Sequence, residues 1–472
     1  MINVLLLNLI IIPPILTEDN DISLNYTNII NEISMTIGRN LKILNEKFYP
    51  IPFQVIFNGK EANIQDNIII SKGLSIYEQN QIIIRWNRTI KDCSLMFYNV
   101  TTVKTINLTN FDLSLVTSTA MMFGNCNNLK KIIFPNNRSY TSIKDMNNMF
   151  YKCISLNNIN IENMNTYNVY NMSYLFYECN ILSLLNLTNF DTSNVLDMRY
   201  MFYNCKNIKI LNLSLFNTSK VFNMNSIFGG CFSISSLDLS GFQFINTPLS
   251  NDIFSNLTNL QYLNFSNINI YNGYNNITSK LFANNKKLIH LNISNFRTYS
   301  KINLEYMFYN LNSLNYLDMS NFQANNSLNM SCMFFQCSNL KTLNLSNFES
   351  SLVYDMSNIF KGTSLVTLDL SNFIFNNNYK MNNIFQTIIS FNGINPLQKI
   401  ILNNVTIYND NISCLFKNLQ RLNTIELSNF KADSIIDMSY LFSNCYNLIS
   451  LNLSSFKMEK VKNISCMFQY CK

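Results

Sequence analysis

The stretch LNLTNFDTSNVLDMRYMFYNC, residues 185–205, is followed almost at once by LNLSLFNTSKVFNMNSIFGGC, residues 211–231. Leu185 matches Leu211, Phe190 matches Phe216, Val195 matches Val221 and Cys205 matches Cys231, each at a step of 26 residues. Working outward, a phenylalanine preceded by Met, Leu, Ile or a close equivalent recurs as Phe97, Phe123, Phe150, Phe176, Phe202, Phe228, Phe254, Phe282, Phe308, Phe334, Phe360, Phe385, Phe416, Phe442 and Phe468. Ten of the fourteen intervals are 26 residues and the others are 25, 27, 28 and 31. A fixed period of this length overrides the usual inference of several globular domains from a 472-residue chain and predicts a solenoid.

Each copy carries two hydrophobic periods. In the first piece Leu343 and Leu345 alternate with Thr342, Asn344 and Ser346, the period of a short half-buried strand. In the second, Val195, Met198, Met201, Phe202 and Cys205 fall on one helical stripe, with Asp191, Thr192 or Ser193 placed to cap it. The expected fold class is therefore α/β: strands stacked into a parallel sheet on a concave side, short helices on the convex side. Helices are wider than strands, which would curve the array toward its strands.

The pattern L-x-x-L-x-L followed by F-x-x-C-x-x-L resembles the BspA-type leucine-rich repeats of microbial surface proteins, in the 26-residue version with N-F-D-T-S-x-V-x-x-M. The resemblance covers residues 93–472 in about fifteen copies, the last incomplete, and implies a leucine-rich-repeat solenoid acting in adhesion to a host or neighbouring cell. Phenylalanines at 190, 216 and 348 stand where an asparagine ladder is usual, so a phenylalanine spine is expected there. Residues 18–92 read as an N-terminal cap, with strands at FQVIF (53–57), NIIIS (67–71) and QIIIRW (81–86). The apolar run at 4–12, followed by Pro13 and Pro14, has the length of a signal-peptide core, so residues 1–17 read as a signal peptide and the protein as extracellular or surface-displayed. The alternative is a structural or scaffolding repeat protein that self-associates, either matrix-like outside the cell or intracellular, with a cytoplasmic scaffold as a third reading. The chain ends just after the last convex piece, which leaves a capless face through which association is expected.

Composition narrows the chemistry. The chain is 47% hydrophobic but only 13% charged, and its polarity comes from 85 asparagines. A net charge of +7 without a Lys/Arg run predicts no nucleic-acid partner, and no later segment is long and apolar enough for a transmembrane helix. One His and one Trp, with no G-x-S-x-G, P-loop or H-E-x-x-H pattern, argue for a protein that is not an enzyme and needs no cofactor or metal. Eight of the twelve cysteines sit three residues after an anchor phenylalanine, where a ladder of small buried side chains is the leading reading and disulfides the minor one. The recurrent methionines four residues before the anchor, Met198 and Met224 among them, read as core.

That leaves the outward-facing strand positions. One column reads Asn186, Asn212, Asp238, Asn264, Asn292, Asp318, Asn344 and Asp369. It is either a set of amides and hydroxyls satisfying one another or a hydrogen-bonding groove for a protein or glycan. The column two residues earlier varies most and places Tyr262, His290 and Tyr316 on three successive copies, the expected contact patch of a binding face.

Overall fold

A computed structural model describes residues 31–39, 41–70, 76–135, 141–247, 253–254, 257–271, 279–299, 302–323, 327–348, 352–375, 384–388 and 393–471. The expected signal peptide lies outside them, as does Met381 of the recurrent methionine set. One 26-residue copy makes one rung, and rungs stack through parallel pairing. Strand Ser236–Asp238 pairs in register with Ile210–Asn212 on one side and Tyr262–Asn264 on the other, which in turn pairs with His290–Asn292. Leu211, Leu237 and Leu263 point inward and are buried, while their neighbours face out, as alternation requires.

Corners explain the asparagines. In the rung beginning at Leu211, Asn212 Oδ1 accepts the Ser214 N–H (3.0 Å), Asn217 Oδ1 the Ser219 N–H (3.0 Å) and Asn223 Oδ1 the Asn225 N–H (3.1 Å). Asn186, Asp191 and Asp197 do the same one rung earlier. A short amide or carboxylate bonded to the backbone two residues on is an Asx turn, so each of these rungs is bent at three places by the same local device.

No helix occurs among the described residues, and this corrects the α/β expectation: the fold is a β-solenoid. Along residues 198–205, alternate N–H groups leave the rung. Met198, Tyr200, Phe202 and Asn204 donate to Asn223, Asn225, Ile227 and Gly229 of the next rung at 2.7–3.0 Å. The N–H groups between them close tight turns, Met201 to Met198 O (3.2 Å), Tyr203 to Tyr200 O (3.2 Å) and Cys205 to Phe202 O (3.0 Å). Tyr200 and Asn204 have φ of 55° and 58°, the left-handed third residue of a type II turn, and this pair of positions repeats from rung to rung. Overlapping turns bring every third or fourth residue inward, just as a helix does, so the apolar spacing cannot tell them apart. The expected caps have other work: Asp191 holds its Asx turn, and buried Thr192 donates to Asn217 O (3.0 Å) in the adjacent rung.

With stacked turns in place of helices among the described residues, the argument from helix width for a concave strand face no longer applies. Anchor rings step by 5.4–5.9 Å from Phe97 to Phe228, near the spacing of about 4.8 Å between strands. The second spine also forms, with Phe216 on Phe242 (6.3 Å) and Phe322 on Phe348 (5.8 Å). All twelve cysteines are free thiols. Those at the corner donate Sγ–H to the anchor carbonyl one rung back, Cys179 to Phe150 O (3.1 Å), Cys205 to Phe176 O (3.1 Å) and Cys231 to Phe202 O (2.9 Å). A small side chain with a weak donor suits that buried position, which Leu257, Leu311 and Leu419 fill with apolar bulk in other rungs.

At the N-terminal side, Gln54–Phe57, Ile68–Ile69 and Asn80–Trp86 fall within or beside the expected strands. A further strand, Asn31–Ile37, pairs antiparallel with both Asn80–Trp86 and Val103–Asn107, and so joins these residues to the first rungs in one six-stranded sheet. Buried Trp86 donates Nε1–H to Pro50 O (2.9 Å) and meets Phe111 of the spine edge-on at 6.0 Å.

Candidate functional site

The strand face is interrupted. One parallel sheet ends at His290–Asn292 and another begins at Tyr316–Asp318, the two strands not pairing with each other. Their rungs remain joined elsewhere: Phe282 N–H reaches Met307 O (3.0 Å) in the turn stack, and Thr298 N–H reaches Gln323 O (2.9 Å) on the other edge. On that edge the spine is tight, with Phe296 and Phe322 stacked at 4.5 Å, closer than the next step of 5.8 Å. Pinched on one edge and open on the strand face, the junction forms a depression of about 530 Å³, within the usual range for ligand pockets of about 300–1,000 Å³.

The depression gathers Asp238, Tyr262, Asn264, His290, Asn292 and Tyr316. Tyr262 and His290 sit on paired strands with ring centroids 4.5 Å apart and planes tilted by 37°. Tyr262 and Tyr316 are each about half exposed, at 55% and 53%. Leu291, whose counterparts Leu263 and Leu317 are buried, is partly uncovered at the opening. A second hollow of about 250 Å³ shares Asn292 and Tyr316 and adds Asp318. Burial and the Asp318 carboxylate beside it push the Tyr316 hydroxyl up from its ordinary pKa.

Asn186, Asn212, Asn344 and Asp369 lie on the same face but outside both hollows. The whole column, from Asn186 to Asp369, has its Oδ1 committed to an Asx turn at 2.9–3.3 Å. The amides are thus satisfied chiefly within a rung, with cross-rung bonds at Asn186 Nδ2 to Glu162 (2.8 Å) and Asn264 Nδ2 to Asp238 Oδ2 (3.1 Å). The break between His290 and Tyr316 has no mark in the spacing, since Phe282 and Phe308 are an ordinary 26 residues apart. Ile289 and Asn315, at the mouth, are the lining residues that sequence reasoning passed over.

Among the described residues no group of three or more His, Cys, Asp or Glu side chains is placed to hold a metal ion, and no helix is long and apolar enough to cross a membrane. The family described as "Mycoplasma protein of unknown function, DUF285" matches residues 91–185, 181–276, 275–400 and 393–472. The chain belongs to the DUF285 family. In this DUF285 protein the match begins at the first rung and takes in the depression. No curated protein matches the chain. Similar solved structures include a leucine-rich repeat protein from Bacteroides ovatus, 15% identical over 80% of this chain and 88% of that one with a TM-score of 0.32. The Toll–Spätzle complex of Drosophila is 17% identical over 73% of this chain and 38% of that one, TM-score 0.25. A Leptospira interrogans leucine-rich repeat protein is 15% identical over 61% of this chain and 75% of that one, TM-score 0.21. Such scores equate no residue of the DUF285 chain with one of theirs.

Proposed function

We propose that this protein is a secreted or surface-displayed recognition protein, not an enzyme, that holds a partner from a host or neighbouring cell against its strand face. The observation that carries the reading is the depression itself, which collects the variable aromatic residues Tyr262, His290 and Tyr316 at a break between two parallel sheets. Aromatic side chains contribute more binding energy per residue than most others, and a rigid array holds them in place at little entropic cost. Resemblance of the repeat to BspA-type proteins supports adhesion, with a protein or a glycan as the partner. The test uses the labelled full chain on cultured animal cells beside the variant Tyr262→Ser, His290→Ser, Tyr316→Ser. Serine already stands in this column at Ser236, so the variant is expected to fold and to lose most of its cell binding. Undiminished binding would overturn the reading. Surface biotinylation of intact producing cells should label the protein, and failure to label it would remove the display.

A further inference from the structure

Each of the two adjoining hollows holds a carboxylate that is hydrogen-bonded but has no cationic side chain lining its hollow, in a chain whose net charge is +7. Asp238 and Asp318 line them, and no Lys or Arg does. Among the described residues neither carboxylate has an ion pair, whereas Glu426 further along the same face is paired with Lys399 at 2.6 Å. Lys287, three residues before His290, is engaged with Asn259 Oδ1 (2.6 Å). Asp238 keeps its turn through Ser240 N–H (3.0 Å) and Asp318 through Ser320 N–H (2.9 Å), so both carboxylates are held in place rather than mobile. Beside them stand the half-exposed rings of Tyr262 and Tyr316, whose faces attract cations through the ring quadrupole.

We propose that the two adjoining hollows receive basic side chains, arginine or lysine, presented by an extended segment of a protein partner, one beside Asp238 and Tyr262 and the next beside Tyr316 and Asp318. Complementarity of charge selects this occupant over a neutral glycan. The inference rests on the strand-face reading above and narrows it to one chemistry. Each carboxylate holds its cation by charge, and the neighbouring ring shields it from water on one side. Specificity for a basic segment would then be written at a single junction of the solenoid.

The experiment uses the full chain and a fluorescent oligoarginine peptide, with oligocitrulline as the uncharged isostere and a neutral chitin oligosaccharide as competitor, all read by fluorescence anisotropy at physiological salt. The variant Asp238→Asn, Asp318→Asn keeps the Asx-turn acceptor, because asparagine holds the same column at Asn212, Asn264 and Asn344. We expect oligoarginine to bind the native chain, and both the citrulline peptide and the Asn variant to bind at least about tenfold more weakly. Equal binding of the two peptides, an undiminished Asn variant, or displacement by the chitin oligosaccharide would overturn the cationic assignment. The serine variant at Tyr262, His290 and Tyr316 separates the two levels. If it loses cell binding while Asp238→Asn, Asp318→Asn does not, the face stands and the cation falls. If it retains cell binding, the strand-face reading itself falls.

Discussion

Asn212 shows what a single residue does in this protein. Its side chain ends the strand by accepting the Ser214 N–H, and the same contact recurs down the column. Replacing it with alanine removes the acceptor and should cost about 1 kcal/mol, as loss of a comparable side-chain-to-backbone cap does. Asn212→Asp, which the neighbouring Asp238 already exemplifies, should cost far less, and urea titrations of the two variants will compare them. The corner cysteines behave as packing residues with a chemical consequence. Burial pushes the thiols of Cys179, Cys231 and Cys337 up from 9.0 to about 12, so at neutral pH they carry almost no thiolate. A thiol reagent should therefore label exposed Cys466 first, Cys414 and Cys471 more slowly, and buried Cys205 only on unfolding, with mass spectrometry reading the order. Because the folded-state pKa is the higher one, the unfolded chain loses these protons first as the pH rises. Stability should be intact below about pH 9 and fall progressively toward pH 12, which thermal melts in an alkaline series will follow.

At the scale of an element, the convex segment is the instructive one. Its Val, Met, Phe and Cys spacing is satisfied equally by a helix and by overlapping turns, and the two differ in where alternate N–H groups go. In the stacked array each donor that leaves the rung finds a carbonyl in the next rung, a partner that no isolated copy possesses. Far-ultraviolet circular dichroism should accordingly lack the double minimum of a helix, and a strong helical signal would contradict the turn stack. The outer surface of these turns carries tyrosines stacked rung on rung, Tyr151 on Tyr177 at 4.9 Å and Tyr177 on Tyr203 at 5.1 Å, and the column ends where Gly229 follows Tyr203. A Cβ on Gly229 would meet the Tyr203 ring at 2.8 Å, so Gly229→Ala must displace that ring and should lower stability, by roughly 1 kcal/mol on a thermal melt.

The whole molecule is a one-dimensional stack, and its stability is a sum over rungs and their contacts. Deleting residues 186–211, one full period, joins Leu185 to Asn212 in the frame that Leu211 had, and the product should stay soluble with a cooperative melt. Deleting residues 186–198 leaves half a rung, exposes the faces on either side and should yield an aggregated chain, which size-exclusion chromatography will distinguish. Much of this organisation was legible beforehand. The anchors, the buried Cys and Met columns, the phenylalanine spine and the outward Tyr262, His290 and Tyr316 were all readable, because a side chain's burial follows its place in the repeat. Asn31–Ile37 could have been found too, since its Ile33, Met35 and Ile37 alternate with polar residues. The sequence by itself thus determined the period, the inward set and the strand columns, for these depend on apolar side chains recurring at fixed steps. Only the tertiary structure decided that the second half of each rung is turns rather than helix, and that the sheet opens between His290 and Tyr316 to bring Asp238, Tyr262 and Tyr316 around one hollow. Both outcomes depend on hydrogen bonds and packing between rungs 26 residues apart, and contacts made across a stack leave no local signature in the chain that makes them.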